Sequence, residues 1–304
     1  MLDQVQSRRP ALGQALAETA TAIDRLFDRT LAVPQDSRGR LVEAMRYAAI
    51  GGGKRLRSLL VLASGALFGV PRNHLLRAGM AVECIHVHSL IHDDLPCMDD
   101  DALRRGRPTV HIAYDEAVAV LAGDAFLALA FETLASPSTH PDAQVRSHLV
   151  LALARRSGAA GMAGGQMLDL AAEAEAELDL DAVTRLQRLK TGALIRWSVE
   201  AGAILGDAPA DSKASLRAYA QCLGLAFQIA DDLIDAGGDE SCAGKRLRKD
   251  GDRGKKTFVG LLGIDRARDR AGRLADQAED HLRDFGPAAD LLRDIARFAV
   301  ERDR

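Results

Sequence analysis

Acidic and basic side chains are separated rather than mixed in SLIHDDLPCMDDDALRRGRP, residues 89–108. The acids come first, as Asp93, Asp94, Asp99, Asp100 and Asp101, and the bases follow, as Arg104, Arg105 and Arg107. Acids at the C-terminal end of a helix oppose the helix dipole, so a merely solvated helix end is an unfavourable explanation. The separation indicates a site that offers carboxylates to cations and arginines to anions.

The spacing of this segment predicts how its acids come together. His86 and Asp93 are seven residues apart, about two helical turns, so they share one face of a helix. Pro96 disfavours helix at Leu95 and removes a hydrogen-bond donor. We therefore expect a loop after Asp94 that returns Asp99 to the neighbourhood of Asp93.

A second acidic cluster lies in FQIADDLID, residues 227–235. Asp231 and Asp235 are four residues apart on one helical face, with Gln228 one turn earlier, and like charges at this spacing repel. Mg²⁺ binds carboxylate oxygens and usually completes its shell with water and substrate phosphates. Two such clusters, the second also containing Asp232, predict a metal-bridged phosphate site.

Basic residues that suit a phosphate site occur in three further segments. They are Lys54 and Arg57 in GGGKRLR, Lys190 beside Thr191 in LKTGALI, and Lys245 and Lys255 in GKRLRKDGDRGKK. Arginine binds phosphate oxygens in pairs, and lysine binds them as a point charge. Taken alone, the last segment is more typical of a solvated loop than of a binding site, and GGGK lacks the spacing of a nucleotide-binding P-loop.

The composition limits the class of protein. The chain has 304 residues, 47% of them hydrophobic but only 4% aromatic, so the core is aliphatic and helix is favoured over sheet. The net charge of −3 gives no general attraction for nucleic acid. The apolar stretch at 59–70 is too short to span a membrane. Four cysteines without a C-x-x-C pair, and no secretory signal, predict a reducing, cytoplasmic setting.

Helical periodicity dominates the chain, and no run of strand alternation is evident. The pattern predicts helices over 41–50, 57–69, 75–95, 113–135, 146–171, 181–206, 212–236 and 286–300. Proline and glycine provide the breaks between them. We expect one all-α domain over residues 1–304 with a large helical core.

Together these motifs resemble the trans-type isoprenyl diphosphate synthases, over roughly residues 40–268. The two aspartate-rich motifs of that family resemble DDLPCMD at 93–99 and DDLID at 231–235. Further matching segments are GGKRLR (52–57), ECIHVHSLIHDD (83–94), LRRGRPTVH (103–111), LAGDAFL (121–127), GGQMLDL (164–170), KTGALI (190–195) and GLAFQIADD (224–232). Ala102 departs from the family, in which many members carry another acid at this position.

The resemblance implies a helical bundle of the isoprenoid synthase type, usually a homodimer, around a deep central cavity. The two aspartate clusters would face each other across its mouth and bind three Mg²⁺ ions, or Mn²⁺. Asp93 and Asp99 would hold two ions and Asp231 the third. Asp94, Asp232 and Asp235 would support the ions, partly through water.

The resemblance also implies the reaction of isoprenoid biosynthesis in which isopentenyl diphosphate is condensed head-to-tail with an allylic diphosphate. The allylic partner would be dimethylallyl, geranyl or farnesyl diphosphate, bound by Arg104, Lys190 and Lys255. Isopentenyl diphosphate would be bound by Lys54, Arg57, His86 and Arg105. Thr191 and Gln228 would line the reacting region, and Lys245 would assist in substrate binding.

Product length is the least determined feature. His88, five residues before Asp93, replaces the aromatic residue of many bacterial farnesyl diphosphate synthases, and the neighbouring Ser89 is small. With His88 as the cavity floor, we expect the C15 product, farnesyl diphosphate, with C20 geranylgeranyl diphosphate as the alternative. His88 facing a neighbouring helix or a dimer contact stays open.

Two other classes fit part of the pattern. A metal phosphohydrolase of the HD type would use the His92-Asp93 pair, but it leaves the 231–235 cluster and the basic residues unexplained. A noncatalytic subunit or a terpene cyclase would keep the same fold. Inactive subunits tend to lose an aspartate motif, and cyclases need no second diphosphate site, whereas this chain keeps both features.

Overall fold

A computed structural model describes residues 2–174, 178–237 and 257–301. The helices are α1 Leu2–Thr30, α2 Gly39–Ala49, α3 Leu56–Ala66, α4 Arg72–Asp93, α5 Val110–Ala113, α6 Glu116–Ala135, α7 Ala143–Ser157, α8 Met162–Ala174, α9 Leu180–Lys190, α10 Gly192–Leu205, α11 Ala210–Gly237, α12 Phe258–Leu262, α13 Ile264–Asp280 and α14 Asp290–Glu301. A 3₁₀ segment, Arg283–Ala289, precedes α14. The all-α prediction is confirmed.

The helices with the most apolar sequences form the centre of the bundle. In α3 every residue from Ser58 to Gly65 is buried, because the helix packs against α4 on one side and α10 on another. Helix α6 packs on α4, and α11 packs on α10. Phe68 packs against both of the largest hydrophobic clusters and so joins them. A single domain over residues 1–304 stays a prediction, because the structure does not describe every part of that range.

Three of the predicted helices are each divided in two. The segment 113–135 divides because the Asp115 side chain accepts a hydrogen bond from the backbone N–H of Val118 at 2.7 Å, which starts a new helix. The segment 146–171 divides after Ser157, and 181–206 divides at Thr191. The division at Thr191 matters for function, since it ends α9 directly after Lys190.

Three helices were not predicted, namely α1, the short α12 and α13. Helix α1 contributes the fully buried Ile23 and Phe27 to the main hydrophobic cluster. Helix α13 buries only alanines, Ala267, Ala271, Ala275 and Ala278, which repeat every three or four residues among charged neighbours. A face made of alanine gives a weak hydrophobic signal, and for this reason the sequence did not reveal α13.

A two-residue hairpin follows the first acidic cluster. Strands β1 Leu103–Arg104 and β2 Arg107–Pro108 pair antiparallel. The two turn residues, Arg105 and Gly106, have φ angles of 55° and 74°. Positive φ at both positions is the type I′ turn that suits hairpins, with glycine at the second position. The hairpin sets Arg104 and Arg105 beside the acidic loop.

Helix α6 is longer than the apolar stretch at 59–70. Among the described residues it is the one helix that meets the length and composition required to cross a membrane. Ala119, Phe126 and Ala130 on this helix are fully buried against its neighbours. A core helix of this kind passes the same test, so α6 is weak evidence for a membrane span.

Candidate active site

The first acidic cluster folds back on itself as expected. Helix α4 ends at Asp93, and the backbone N–H of Asp99 donates to the carbonyl oxygen of Asp93 at 2.8 Å. The N–H of Asp101 donates to the carbonyl of Asp94 at 3.2 Å. These bonds return the loop to the end of α4, so that the charge of Asp99 acts on Asp93.

The electrostatic environment of the Asp93 carboxyl group favours the binding of a cation. Burial, partly offset by the charge of Lys190 and reinforced by that of Asp99, raises the pKa of Asp93 to about 6. A raised carboxyl pKa means that the ionised form is poorly compensated by the protein alone. A divalent cation at this position would supply the missing positive charge.

Asp94 has a different environment from its neighbour. Its side chain is 4% exposed, and its Oδ1 and Oδ2 accept hydrogen bonds from Nε of Arg104 at 2.8 and 2.9 Å. The Nη2 atom of Arg104 also donates to Oδ1 at 2.6 Å. A paired contact of this kind fixes the plane of the guanidinium. Asp94 therefore holds Arg104, whose side chain remains 30% exposed.

The second acidic cluster lies on the unbroken helix α11. Asp231 and Asp235 are half-buried, whereas Asp232 is buried. One oxygen of Asp232 accepts from Nε2 of Gln228 at 2.9 Å, and the other accepts from the backbone N–H of Phe258 at 2.8 Å. Asp232 therefore ties α11 to the start of α12.

The junction of α9 and α10 connects the two clusters. Lys190 acts electrostatically on Asp93, and its Nζ donates to Asp169 of α8 at 2.5 Å. The hydroxyl of Thr191 donates to Oε1 of Gln228 at 2.8 Å, which leads to the second cluster. Gly165 permits this arrangement, because a side chain there would approach the backbone nitrogen of Lys190 to 2.2 Å. Both aspartate motifs are thus connected through one helix junction.

The glycine run, residues 51–53, packs against Arg105 of the hairpin. A Cβ atom on Gly52 or Gly53 would lie 2.7 to 2.9 Å from the guanidinium of Arg105, so the run lies directly against that side chain. Burial, followed by the charges of Arg57 and Arg105, lowers the pKa of His86 well below its ordinary value. His86, Arg57 and Arg105 therefore lie near one another, with His86 neutral at physiological pH.

A buried ion network beneath the glycine run was missed by the sequence analysis. The Arg55 side chain is 2% exposed and pairs with Asp24 of α1 at 2.8 Å and with Glu83 of α4 at 3.3 Å. Glu83 also accepts from the backbone N–H and hydroxyl of Ser58, at 3.3 and 3.2 Å. Arg55 lies between Lys54 and Arg57, so the network fixes the segment that carries both. GGKRLR showed the basic residues but not their long-range partners.

Of the three remaining predicted basic residues, the structure describes only Lys54. Lys54 places its Nζ 5.1 Å from the centre of the Phe298 ring in α14, a contact that no sequence motif announced. Lys245 and Lys255 lie outside the described residues. Their predicted roles stay predictions.

His88 faces a neighbouring helix. Its Nδ1 lies 3.0 Å from the carbonyl oxygen of Gly123 in α6, and its ring lies 4.5 Å from that of His92. The side chain is half-buried, and burial followed by the charge of His92 lowers the pKa of His88. The hydroxyl of Ser89 donates to the carbonyl of His86 at 2.9 Å. The alternative that His88 contacts a neighbouring helix is therefore observed, while its role as a cavity floor stays a prediction.

The acidic residues suit a metal that takes few protein ligands. No group of three or more His, Cys, Asp or Glu side chains converges within residues 2–174, 178–237 and 257–301. A structural zinc site, which takes four such ligands, does not fit this arrangement. Mg²⁺ fits, because one or two carboxylates are enough when water and phosphate oxygens complete its shell. The observation that supports this fit is the electrostatic repulsion between Asp93 and Asp99, which helps to raise the pKa of Asp93.

A cavity of about 220 Å³ lies on the face of α4 that carries Asp94. The glycine run and the hairpin form two of its walls, with Arg104 and Arg105 among its lining residues. Asp93, Lys190 and Asp231 do not line it. This cavity therefore includes Arg104 but not the other catalytic candidates, and the deep cavity between the aspartate clusters stays a prediction.

Comparisons with known proteins show which family this chain resembles. Residues 38–288 match the polyprenyl synthetase family, a longer region than the motifs alone indicated. The farnesyl diphosphate synthase of Escherichia coli is 46% identical over 270 residues, which cover 87% of this chain and 90% of that protein.

Solved structures agree as well. An apo FPP/GFPP synthase from Zymomonas mobilis has 56% sequence identity and a TM-score of 0.88, covering 95% of this chain and 99% of that one. A geranyltransferase from Helicobacter pylori, solved with magnesium and isoprenyl diphosphate, has 32% identity and a TM-score of 0.82, covering 95% and 96%. The chain therefore belongs to the polyprenyl synthetase family and has the fold of its prenyltransferases.

Proposed function

We propose that this prenyltransferase condenses isopentenyl diphosphate with an allylic diphosphate, with farnesyl diphosphate as its main product. The convergence of Asp93, Lys190 and Arg104 at one end of the bundle carries the proposal. The names of the relatives support it, since one is a farnesyl diphosphate synthase and another an FPP/GFPP synthase. Geranylgeranyl diphosphate remains the alternative product.

The chain's own residues suit ionisation of the allylic partner. Arg104 and Lys190 would contact its diphosphate, and each is already held in place by a carboxylate, Asp94 and Asp169 respectively. Fixed cations stabilise the charge that develops on the leaving group as the C–O bond breaks. Mg²⁺ held by Asp93, Asp99 and Asp231 would add further positive charge when bound.

The second substrate would bind through a separate set of residues. Arg57, Arg105 and neutral His86 would hold the diphosphate of isopentenyl diphosphate, and the buried Arg55 network fixes their segment. The double bond of that substrate attacks the allylic carbon, forming a C–C bond, and a proton then leaves the neighbouring carbon. The released diphosphate accepts the proton, so no protein base is needed.

The test is incubation of the purified protein with Mg²⁺, labelled isopentenyl diphosphate and geranyl diphosphate, followed by chromatography. The proposal predicts a labelled C15 diphosphate whose formation needs both substrates. A control with the allylic diphosphate alone separates the phosphohydrolase alternative, which would release phosphate without isopentenyl diphosphate. Unchanged substrates, or cyclised hydrocarbons, would contradict the proposal.

A homodimer in the cytoplasm completes the proposal. Helix α6 exposes Val120 and Leu121, 40% and 55% exposed, on a face that a second copy would cover. The described cysteines, Cys84, Cys97 and Cys222, are free thiols, which suits a reducing compartment. Light scattering should give twice the chain mass, and Leu121→Asp should shift the protein towards monomer. A wild-type monomer at micromolar concentration would contradict the dimer.

A further inference from the structure

A second cavity lies away from the aspartate motifs, between α7, α10 and α11. It has a volume of about 390 Å³ and is open to solvent. Glu200 in its wall lies eight residues into α10, which starts beside Lys190, so it is about 12 Å along the helix from that end. None of the residues assigned above to metal or substrate binding lines this cavity.

Basic side chains dominate the cavity wall. Arg155, Arg156, Lys213 and Arg217 line it together with a single acid, Glu200. Four cations against one carboxylate leave an excess of three positive charges. Lys213 also approaches Asp207 at 3.5 Å, but Asp207 is 97% exposed, so solvent screens that pair. The cavity therefore has a concentrated positive potential, unlike the chain as a whole.

Glu200 holds neighbouring arginine side chains in place through hydrogen bonds. Its carboxylate accepts from two lining arginines, Arg156 at 3.2 Å and Arg217 at 3.1 Å, and from Arg196, which does not line the cavity, at 2.9 Å. Burial alone would raise the pKa of Glu200, but these three arginines outweigh it and lower the pKa, so the carboxylate stays ionised. One carboxylate cannot neutralise three guanidinium groups, and it holds them in fixed positions while donors remain for a ligand.

Fixed arginines around an open cavity are the arrangement that binds phosphate groups. Each guanidinium carries five N–H donors, and paired contacts to phosphate oxygens are strong because both partners are charged. The remaining lining residues, Ala152, Ala203 and Ile204, are apolar, and the cavity's volume can admit a group of several heavy atoms. We propose that this cavity is a second, metal-independent binding site for a phosphate or diphosphate group.

The ligand has two possible sources with the same chemistry. One is a soluble anion such as inorganic diphosphate, which prenyl transfer releases. The other is the phosphate headgroup of an anionic lipid. The proposal does not depend on prenyl transfer, because it is tested by binding without turnover.

The first arm of the test is calorimetric titration of the whole protein with inorganic diphosphate in EDTA, which removes metal-dependent binding. The second arm is cosedimentation with phosphatidylglycerol vesicles, compared with phosphatidylcholine vesicles. The test variant is Arg155→Gln/Arg217→Gln. The matched control is Arg268→Gln/Arg273→Gln on α13, which removes the same charge from side chains that are 70% and 66% exposed.

In one of the two arms, the test variant should bind at least about tenfold more weakly than the wild type, since two charge-assisted contacts are removed. The α13 control should bind as the wild type does. Loss in the first arm assigns the site to a soluble anion, and loss in the second assigns it to a lipid headgroup. Equal binding by wild type and test variant in both arms, or no binding by the wild type in either, would overturn the proposal. A melting temperature of the test variant equal to that of the wild type would exclude a folding defect.

Discussion

Each aspartate motif begins with a pair of adjacent acids, and the two members of each pair have different environments. Asp94 and Asp232 are both buried, and both oxygens of each accept hydrogen bonds from the protein. Asp93 and Asp231 are half-buried. We infer that the first acid of each pair serves the metal and the second anchors the structure around it.

The anchors themselves differ between the motifs. Asp94 is bound by a cation, Arg104, on a hairpin outside the helix. Asp232 is bound by a neutral amide, Gln228, and by the backbone N–H of Phe258. The first anchor therefore holds a residue that we expect to touch substrate, whereas the second holds one helix to another. Loss of the first anchor should damage catalysis and stability together, and loss of the second should damage mainly stability.

The largest expected effect is on the first member of each pair. Asp93→Ala and Asp231→Ala should each lower turnover by about 10²–10³-fold, because one strong electrostatic contribution to ionisation is lost. Thermal unfolding should stay close to that of the wild type. Near-normal turnover at saturating Mg²⁺ in either variant would break the comparison.

Asp232, the second member of the second pair, should affect stability more than turnover. Asp232→Ala leaves the buried N–H of Phe258 without its partner, which costs about 1–3 kcal/mol of stability. The melting temperature should fall by roughly 2–6 °C. Turnover measured well below the melting temperature should fall less than in Asp231→Ala. A melting temperature equal to that of the wild type would remove the anchoring role.

A smaller effect separates the two substrates. Arg57 lies in the glycine-rich segment, away from both aspartate motifs, so Arg57→Ala should raise the KM for isopentenyl diphosphate more than that for the allylic diphosphate. A charge-assisted contact is worth about 1.5–3 kcal/mol, or roughly tenfold to one hundredfold. Steady-state kinetics with each substrate varied in turn provides the measurement. Equal changes in both constants would argue against two diphosphate sites.

The smallest effect concerns product length, for which the candidate residue, His88, lies five residues before the first motif. His88→Ala removes the ring that lies against α6 at Gly123. If the ring limits the chain, products from a C15 starter with excess isopentenyl diphosphate should lengthen to C20 or beyond. An unchanged chromatogram would leave His88 as a packing residue between α4 and α6.

The parts of the molecule that were predictable depend on local signals. Pro96 predicted the loop that returns Asp99 to Asp93, and the apolar residues of α3 predicted a buried helix. The Asp24–Arg55–Glu83 network was not predictable, since it joins α1 to α4 across 59 positions of sequence with no periodic pattern. The resemblance assigned Asp94 and Asp232 to support of the ions, but their hydrogen-bond partners, Arg104 and the backbone N–H of Phe258, were not predictable. Adjacent aspartates are identical as letters, and only the structure shows what each one contacts.

The most direct test of the division within each pair is a crystal structure with Mg²⁺ and inorganic diphosphate. The account predicts Mg²⁺ at about 2.1 Å from carboxylate oxygens of Asp93, Asp99 and Asp231. Asp94 should keep its bonds to Arg104, and Asp232 its bond to the N–H of Phe258. Direct coordination of Mg²⁺ by Asp94 or Asp232, with those bonds broken, would contradict it.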